Sequence, residues 1–524
     1  MFALFFLISF VYHLLRCLKI AVAIKAPGSG AEIIPFLKVW FVLPAAFIFS
    51  FIYAKLAKKY DRVTVFNRCL SIFVIFFIIF TFILFPCREQ LELNFLEHFL
   101  ESFIKNLLPP CLHGFVAGLH GLTLTFKYWP LSLFYVFAEM WSIMVLSVLF
   151  WAFCNEITKV NEAKRFYAFI ALGANCAAIF SGETVRRLSL TTTYSWIPYG
   201  STAAEQTVFL FMMTAIVLSI LIIGLFYWLN QQPFVKSNGA NTICMNGSTN
   251  YSELVSPEKQ KTSKLNLSWK EKLSFLTKTP ELGYLTLIVL AYNVVANLAD
   301  TVWCYQLDIR FTDSAQLVEN LGKLDMMIGF TTVTFALFGF SNVIRKFGWK
   351  TAAITTPIIW GITTAIAFTA LSMEGNIVHS GLFFFFHFPL HELIINVFML
   401  QMCLGKATKY TFFDQSKEIA FIPLTPSQQR NGKAVIDGIT SRFGKSGSSI
   451  FVQVLLLIFS GEIARIIPYV GAMIFGMLLV WLYATNKLSK VLDTKIYKET
   501  VNTEAVDTTF QVESAPLLTS KVTV

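Results

Sequence analysis

The charged residues that sit deepest in apolar runs of this chain are Arg16 and Lys19 in SFVYHLLRCLKIAVAI, Lys38 in IIPFLKVWFVLP, Glu139 in FYVFAEMWS, Asp300 in NLADTVW and Lys445 in SRFGKSGSS. A charge carried into hydrocarbon costs about 2.5–3.5 kcal/mol on insertion scales, so such groups face a cavity and mark a pathway. Cations outnumber carboxylates in this set. That balance suits a polyanion, with phosphate the obvious candidate, held by charge-assisted hydrogen bonds. Arg16, Lys19 and Lys38 could also snorkel to the outer interface, and Asp300 near a span end is ambiguous. Glu139 is flanked by apolar turns and has no such exit. Lys445 lies in a Gly/Ser-rich stretch that permits close helix approach, which accounts for the small residues but not for the lysine.

Other chemistries fail on spacing. Five residues separate Gly438 from Gly444 ahead of Lys445 and Ser446, where a phosphate-binding loop after a strand needs four. His391-Glu392 continues Leu393-Ile394-Ile395 and lacks the second histidine of a zinc protease helix. His113, His120 and His387 are isolated. The nine cysteines form no CxxC, so neither a metal site nor a disulfide framework is expected. A membrane enzyme acting on lipid phosphates would need a carboxylate pair at one interface, and the acidic residues are too dispersed for that. No catalytic residue, cofactor or resident metal is therefore expected.

The elements that must position these charges follow from composition. In 524 residues, 56% are hydrophobic and 14% charged, about half the charge of a soluble protein, and the 54 phenylalanines exceed what a soluble fold can bury. The fold class is an all-α polytopic membrane protein. Twelve segments are long enough to span: 2–22, 35–55, 66–86, 131–153, 166–185, 207–229, 282–303, 324–343, 351–373, 381–404, 435–460 and 463–486. Those at 166–185, 324–343 and 435–460 are the weakest, interrupted by Gly, Ser or charge. The first span begins at residue 2, is longer than a signal's apolar core and lacks a small-residue cleavage site, so it is expected to remain in the mature protein with no leader ahead of it.

Loop charges orient the spans. Basic residues collect in the even-numbered loops: Lys55, Lys58, Lys59, Arg62 and Arg68; Lys159, Lys164 and Arg165; seven lysines between 236 and 278; Arg345, Lys346 and Lys350; Lys406, Lys409, Lys417, Arg430 and Lys433. The tail adds Lys487, Lys490, Lys495 and Lys498. Both termini are then cytoplasmic, and the net charge of +11 reflects the membrane rather than nucleic acid. The sequons at Asn246, Asn250 and Asn266 fall on the cytoplasmic side, out of reach of glycosylation. The expected organisation is a six-helix bundle over 1–230, a linker over 231–280, a second six-helix bundle over 281–490 and a disordered tail over 491–524. Such a division suits two halves rocking about a site at mid-depth. At 1.5 Å per residue, Glu139 lies about 13 Å from the outer end of its span and Lys445 about 16 Å from the inner end of its own, so the two halves each bring a charge toward the midplane.

Several long motifs then carry a resemblance. APGSGAE at 26–32, IIPFLKVW at 33–40, AEMW at 138–141, NEITKVNEAKRFYA at 155–168, KATKYTFFDQSKEIAFIPL at 406–424 and GKAVIDGITSRFGKSGSS at 432–449 resemble the nucleotide transporters of obligate intracellular bacteria and plastids. The likeness runs from about residue 3 to 490. It implies twelve helices in a major-facilitator-like 6+6 arrangement and exchange of host ATP for ADP across a bacterial inner membrane by a monomer in the lipid bilayer. The family's four transport charges fall on Lys38, Glu139, Asp300 and Lys445, with Asp300 standing where the ATP/ADP exchangers have Glu. Arg16 and Lys19 are expected beside them as further phosphate ligands. Three other positions depart from the family: its Lys-Asp in the first span reads Lys19-Ile20, a Lys after the seventh span reads Cys304, and an Asn ahead of the KATKY-like motif reads Met402. These departures keep open import of another nucleotide, GTP, UTP, CTP or NAD, with or without a coupled proton.

Overall fold

The computed structural model describes residues 1–107, 113–157, 160–232, 279–380 and 390–513, and among these every regular element is a helix. A backbone crossing hydrocarbon must satisfy its own polar groups, and a helix does so within one segment. The stretch 233–278, with nearly all of the expected linker and the three sequons, lies outside the described residues, as does His387.

In chain order the helices are α1 (Phe2–Ile24), α2 (Ile33–Lys59) and α3 (Val63–Leu84), then the short α4 (Asn94–Leu107), α5 (His113–Gly118) and α6 (His120–Lys127), then α7 (Trp129–Cys154), α8 (Val160–Leu188) and α9 (Ala203–Gln231). After the undescribed stretch come α10 (Pro280–Arg310), α11 (Ser314–Gly339), α12 (Phe340–Ser380), α13 (Leu390–Thr408), α14 (Asp414–Phe421), α15 (Pro426–Lys433), α16 (Ser441–Ile458) and α17 (Ile463–Glu513). Nine helices among the described residues are long and apolar enough to cross a bilayer: α1, α2, α3, α7, α9, α10, α11, residues 342–374 of α12 and residues 463–494 of α17. The expected spans at 166–185 and 435–460 fall on α8 and on α16 with the turn before it, and the described part of the span expected at 381–404 falls on α13, residues 381–389 lying outside the described ones.

Local chemistry sets the helix ends. Asp61 caps α3 by accepting from the Thr64 N–H at 3.1 Å, and this bond together with the Thr64 hydroxyl holds its carboxyl below the usual range. Thr202 and Glu205 form a reciprocal capping box at the start of α9. Gly348, at φ 79° and ψ 175°, turns the chain inside α12 between Arg345-Lys346 and Lys350. The region between α3 and α7, expected as a connecting loop, holds the short helices α4–α6. Lys127 ties α6 to α4 through Glu97 at 2.7 Å. No glycine or proline occurs between 477 and 515, and α17 is continuous from Ile463 through Glu513. One boundary moves: α13 does not stop at 404 but continues through Lys409–Phe413 into α14, so Lys406, Lys409 and Lys417 are helical residues, not loop residues.

The helices before the undescribed stretch, α1–α9, form a first set and those after it, α10–α17, a second, and phenylalanine supplies much of the packing within the first. Phe76 stacks on Phe137 at 3.7 Å, Phe66 on Phe226 at 3.8 Å, and Phe80 on Phe134 at 4.3 Å. Trp141 donates to the Ile8 carbonyl at 3.1 Å, fixing α7 against the buried α1. The two sets of helices meet along α8 and α11, where glycine lets the backbones touch. A Cβ on Gly182 would lie 2.5 Å from the Gly322 carbonyl oxygen, and one on Gly329 would lie 2.8 Å from the Asn175 carbonyl oxygen. Small residues permit such close approach in membranes, where tight packing replaces the hydrophobic effect as the force of association.

This seam gives a test. Gly182→Val overpacks backbone against backbone and should cost about 1–3 kcal/mol, read as a lower melting temperature of the protein in detergent. Gly224→Ala, whose added Cβ meets nothing within 4 Å, should leave the melting temperature unchanged or slightly raised. Equal melting behaviour of the two variants would mean that α8 and α11 do not close on one another.

Candidate functional site

One cavity of about 600 Å³ lies between the two sets of helices, and all six charges singled out from sequence line it: Arg16 and Lys19 from α1, Lys38 from α2, Glu139 from α7, Asp300 from α10 and Lys445 from α16. The wall carries further charge that sequence reading had placed in a loop or passed over. Lys406, Lys409, Asp414 and Lys417 lie along α13 and its continuation, Asp437 in the turn at Ala434–Thr440 that leads into α16, and Arg442 in the first turn of α16. Eight cations thus face four carboxylates. Four positive charges stay uncompensated within the lining, a standing attraction for a polyanion.

The carboxylates are already engaged. Lys19 donates to Glu139, and its ammonium lies 5.0 Å from the centre of the Tyr135 ring. Lys38 Nζ reaches Asp300 Oδ2 at 3.3 Å and Asn297 Oδ1 at 2.7 Å, while Lys406 approaches the other oxygen of Asp300 at 3.8 Å. Asn297 in turn donates to Ser448 Oγ at 2.9 Å, Ser449 Oγ at 3.0 Å and the Lys445 carbonyl at 3.2 Å. This explains the small residues around Lys445: they let α16 come close enough to α10 for one amide to join Lys38 to the backbone of Lys445. The Lys445 ammonium itself has no ion-pair partner among the described residues and is exposed to the cavity. Farther along, Lys409 pairs with Asp414 at 2.9 Å and Lys417 with Asp437 at 2.6 Å.

Arg16 is held from behind. Its guanidinium meets Asp325 Oδ1 at 2.5 Å, and Asp325 Oδ2 lies 3.0 Å from His13 Nδ1 and accepts from Cys17 Sγ at 3.6 Å. His13, Arg16 and Cys17 are one helical turn apart on α1, and Asp325 belongs to α11 of the other set, 1% exposed. Asp325 escaped sequence reading because it sits at the edge of an expected span.

The helices around the cavity are locally widened. The Leu43 N–H bonds the Lys38 carbonyl, Phe150 that of Val145, Asp414 that of Lys409, and Ser441 that of Ile436, each a five-residue π turn. One extra residue in a turn re-aims the following side chains by about 100°. On α13 the result is a continuous stripe of Lys406, Lys409, Tyr410, Phe413, Asp414 and Lys417 facing the cavity. The spacing of three and four in KATKYTFFDQSK was the available signal for that stripe. Of the three departures from the family pattern, Ile20 and Cys304 line the cavity, and Met402 is buried away from it.

The cavity extends beside Ser147, Asp414, Lys417 and Asp437, toward the connection between α13 and α16. Contacts between the two sets shut its other end. Lys25 bonds Asp308 Oδ1 at 2.8 Å, and the Ala31 N–H bonds the second oxygen at 3.1 Å. Gln453 donates to the Pro35 carbonyl at 2.9 Å and accepts from Trp40 at 3.2 Å. Among the described residues no three His, Cys, Asp or Glu side chains gather in a way that could hold a metal ion.

Residues 1–492 match the family model described as TLC ATP/ADP transporter. The chain is 36% identical over 495 residues to "ADP,ATP carrier protein 1" of Chlamydia trachomatis serovar D, covering 94% of this chain and 88% of that one. It is 33% identical over 512 residues to "ADP,ATP carrier protein 2, chloroplastic" of Arabidopsis thaliana, covering 96% and 75%. Among solved structures, a bacterial homologue of the iron transporter ferroportin in its inward-facing state superposes with a TM-score of 0.50 at 12% identity, over 93% of this chain and 98% of that one. That likeness speaks to the fold, which is the all-helical, major-facilitator-like one expected.

Asp325→Ala leaves Arg16 and His13 without their acceptor inside the helix seam. Removal of one member of a buried ion pair costs about 3–5 kcal/mol, so this variant should melt markedly earlier in detergent than the wild type. Asp414→Ala, whose partner faces the open part of the cavity, should melt nearly as the wild type does. A reversed order would place Asp325 in contact with water.

Proposed function

The chain belongs to the TLC ATP/ADP transporter family, and from that premise we propose that it moves nucleotides by alternating access, exchanging ATP for ADP, with the charged cavity as the site where the phosphates bind. The observation that carries this reading is the lining of eight cations against four carboxylates, drawn from both sets of helices. The carrier names of its relatives support the same exchange.

In this scheme the empty site is kept tolerable by internal pairs. A phosphate arriving at Lys38 displaces Asp300, and one arriving at Lys19 displaces Glu139; each swap exchanges one charged partner for another and is close to neutral. Affinity then comes chiefly from cations with no internal partner, Lys445 first. Charge-assisted hydrogen bonds contribute about 1.5–3 kcal/mol each, so losing this one is costly. The two displaced carboxylates differ in position. Lys19 and Glu139 belong to the same set of helices, whereas Lys38 and Asp300 belong to opposite sets. Displacing Asp300 therefore loosens a tie between the moving halves, and the ligand binds the two arrangements unequally, the condition for shifting their populations. Exchange of ATP for ADP carries about one net charge, worth about 2.3 kcal/mol per 100 mV.

Under this proposal the protein works as a monomer in a bacterial inner membrane, with both termini in the cytoplasm, and carries out transport rather than catalysis. The basic residues of the α2–α3 and α12 turns support that orientation. The cavity is then open to the cytoplasm and closed outside by Lys25 and Asp308.

Uptake of labelled ATP into cells expressing the protein tests the scheme. External ATP should drive efflux of preloaded ADP, a protonophore should leave the rate unchanged, and UTP and CTP should compete weakly. Lys38→Ala and Lys445→Ala should each lower uptake more than tenfold, the fold-change that corresponds to about 1.4 kcal/mol; unchanged uptake in both would remove the cavity lysines from the mechanism. Asp300→Asn should bind ATP more tightly yet exchange it more slowly, so that KM and the maximal rate fall together. A raised KM in that variant would mean that Asp300 assists the ligand rather than competes with it.

A further inference from the structure

We propose that Tyr410 is the platform on which the nucleotide base stacks, an assignment that rests on the nucleotide-transport reading above and adds the residue that grips the other end of the ligand. Five aromatic rings line the cavity: Tyr12, Tyr135, Tyr292, Tyr410 and Phe413. Four are already committed. Tyr135 is 2% exposed, with the Lys19 ammonium over its ring. Phe413 is 5% exposed and packs against Tyr292 at 4.6 Å, and Trp481 meets Tyr292 edge-on at 5.8 Å. Tyr12 stands edge-to-face with His13 at 4.9 Å.

Tyr410 differs on each count. It is 41% exposed, and among the described residues no other ring packs on it. One face is covered by the Lys409 ammonium, 4.4 Å from the ring centre, and Asp414 fixes that ammonium at 2.9 Å. The opposite face is the one left for a ligand. A cation on one side draws π density toward itself, which makes the far side a better partner for an electron-rich heterocycle. Tyr410 also lies four residues after Lys406 on the cavity stripe of α13, about 6 Å along the axis. A base resting there points its phosphates back toward Lys406, Lys38 and Lys445. The side-chain amides nearby are already occupied: Asn293 donates to the Val289 carbonyl and accepts from Ser441, and Asn297 is fully bonded. Recognition of the base is therefore by its face and area rather than its edge, which favours purines over pyrimidines.

The test separates base from phosphate. In proteoliposomes containing the full chain, Tyr410→Ala and Tyr410→Leu should raise the KM for ATP about 5- to 150-fold, the equivalent of the roughly 1–3 kcal/mol of one base–aromatic stack. Inhibition by inorganic tripolyphosphate, which has no base, should be unchanged in the same variants, and Tyr410→Phe and Tyr410→Trp should retain the wild-type KM. An unchanged KM for ATP in the Ala and Leu variants overturns the proposal, and so does an equal weakening of ATP and tripolyphosphate. Independently of any variant, irradiation of the wild-type protein with 8-azido-ATP should label the peptide containing residues 406–417; labelling confined to other helices overturns the assignment. A wild-type protein that binds tripolyphosphate but exchanges no nucleotide would instead refute the reading beneath it.

Discussion

Positive charge held at mid-depth in a membrane protein has to be neutralised when the site is empty, and the arrangement of this cavity follows from how that is done. Asp300 does it twice, with one oxygen toward Lys38 and the other toward Lys406. Glu139 does it once, toward Lys19. Were every cation paired in this way, a phosphate would gain little on entry, because each contact made would cost one already present. The cavity is compensated only in part. Lys445 is left facing the space, and the surplus charge of the wall is what a polyanion can satisfy and an internal carboxylate does not.

The same constraint explains the polar supports behind the lysines. A cation aimed into a cavity needs its stem and neighbours fixed, or it folds back onto the nearest carbonyl. Asn297 fixes Lys38 through its oxygen and the backbone of Lys445 through its amide nitrogen, so the two lysines read from sequence as separate contributions are in fact linked by one side chain. Asp325 performs a comparable service for Arg16, from the far side of the seam between α1 and α11. Neither residue was identifiable from local pattern alone. An asparagine in an apolar helix and an aspartate near a helix end have many ordinary explanations, and what distinguishes these two is partners more than 140 and 300 positions away in the chain.

What sequence could show depended on contrast. Lys38, Glu139 and Asp300 stood out because their neighbours are apolar, and all three face the cavity. The stripe on α13 did not stand out, although it contributes the most charge. Its lysines at 406, 409 and 417 follow an apolar run and precede a polar one, which is also how a cytoplasmic loop reads under the positive-inside rule. Spacing carried the missing information: Lys406, Lys409, Tyr410, Phe413, Asp414 and Lys417 recur at three and four, a helical face, and the π turn at Lys409–Phe413 keeps that face on the cavity. The short helices α4–α6 were hidden for the opposite reason, since a mixed stretch of Glu, His and Phe shows neither span nor loop contrast.

Rocking of two helix sets requires some contacts that persist and others that break, and the chemistry of each interface indicates which is which. Along α8 and α11 the sets touch through glycine backbones with apolar side chains such as Val185, Ile179 and Met326 beside them; such a contact has no polar bond to break when the angle between the sets changes. At the closed end the sets are joined by polar bonds, Lys25 with Asp308 and Gln453 with Pro35 and Trp40. Each of these bonds needs a new partner when that end opens. The Lys38–Asp300 pair also crosses between the sets, but it lines the cavity itself. Under the proposed scheme a phosphate bound at Lys38 takes the place of Asp300, so the bond lost between the sets is replaced only when cargo is present, which is what keeps an exchanger from running empty.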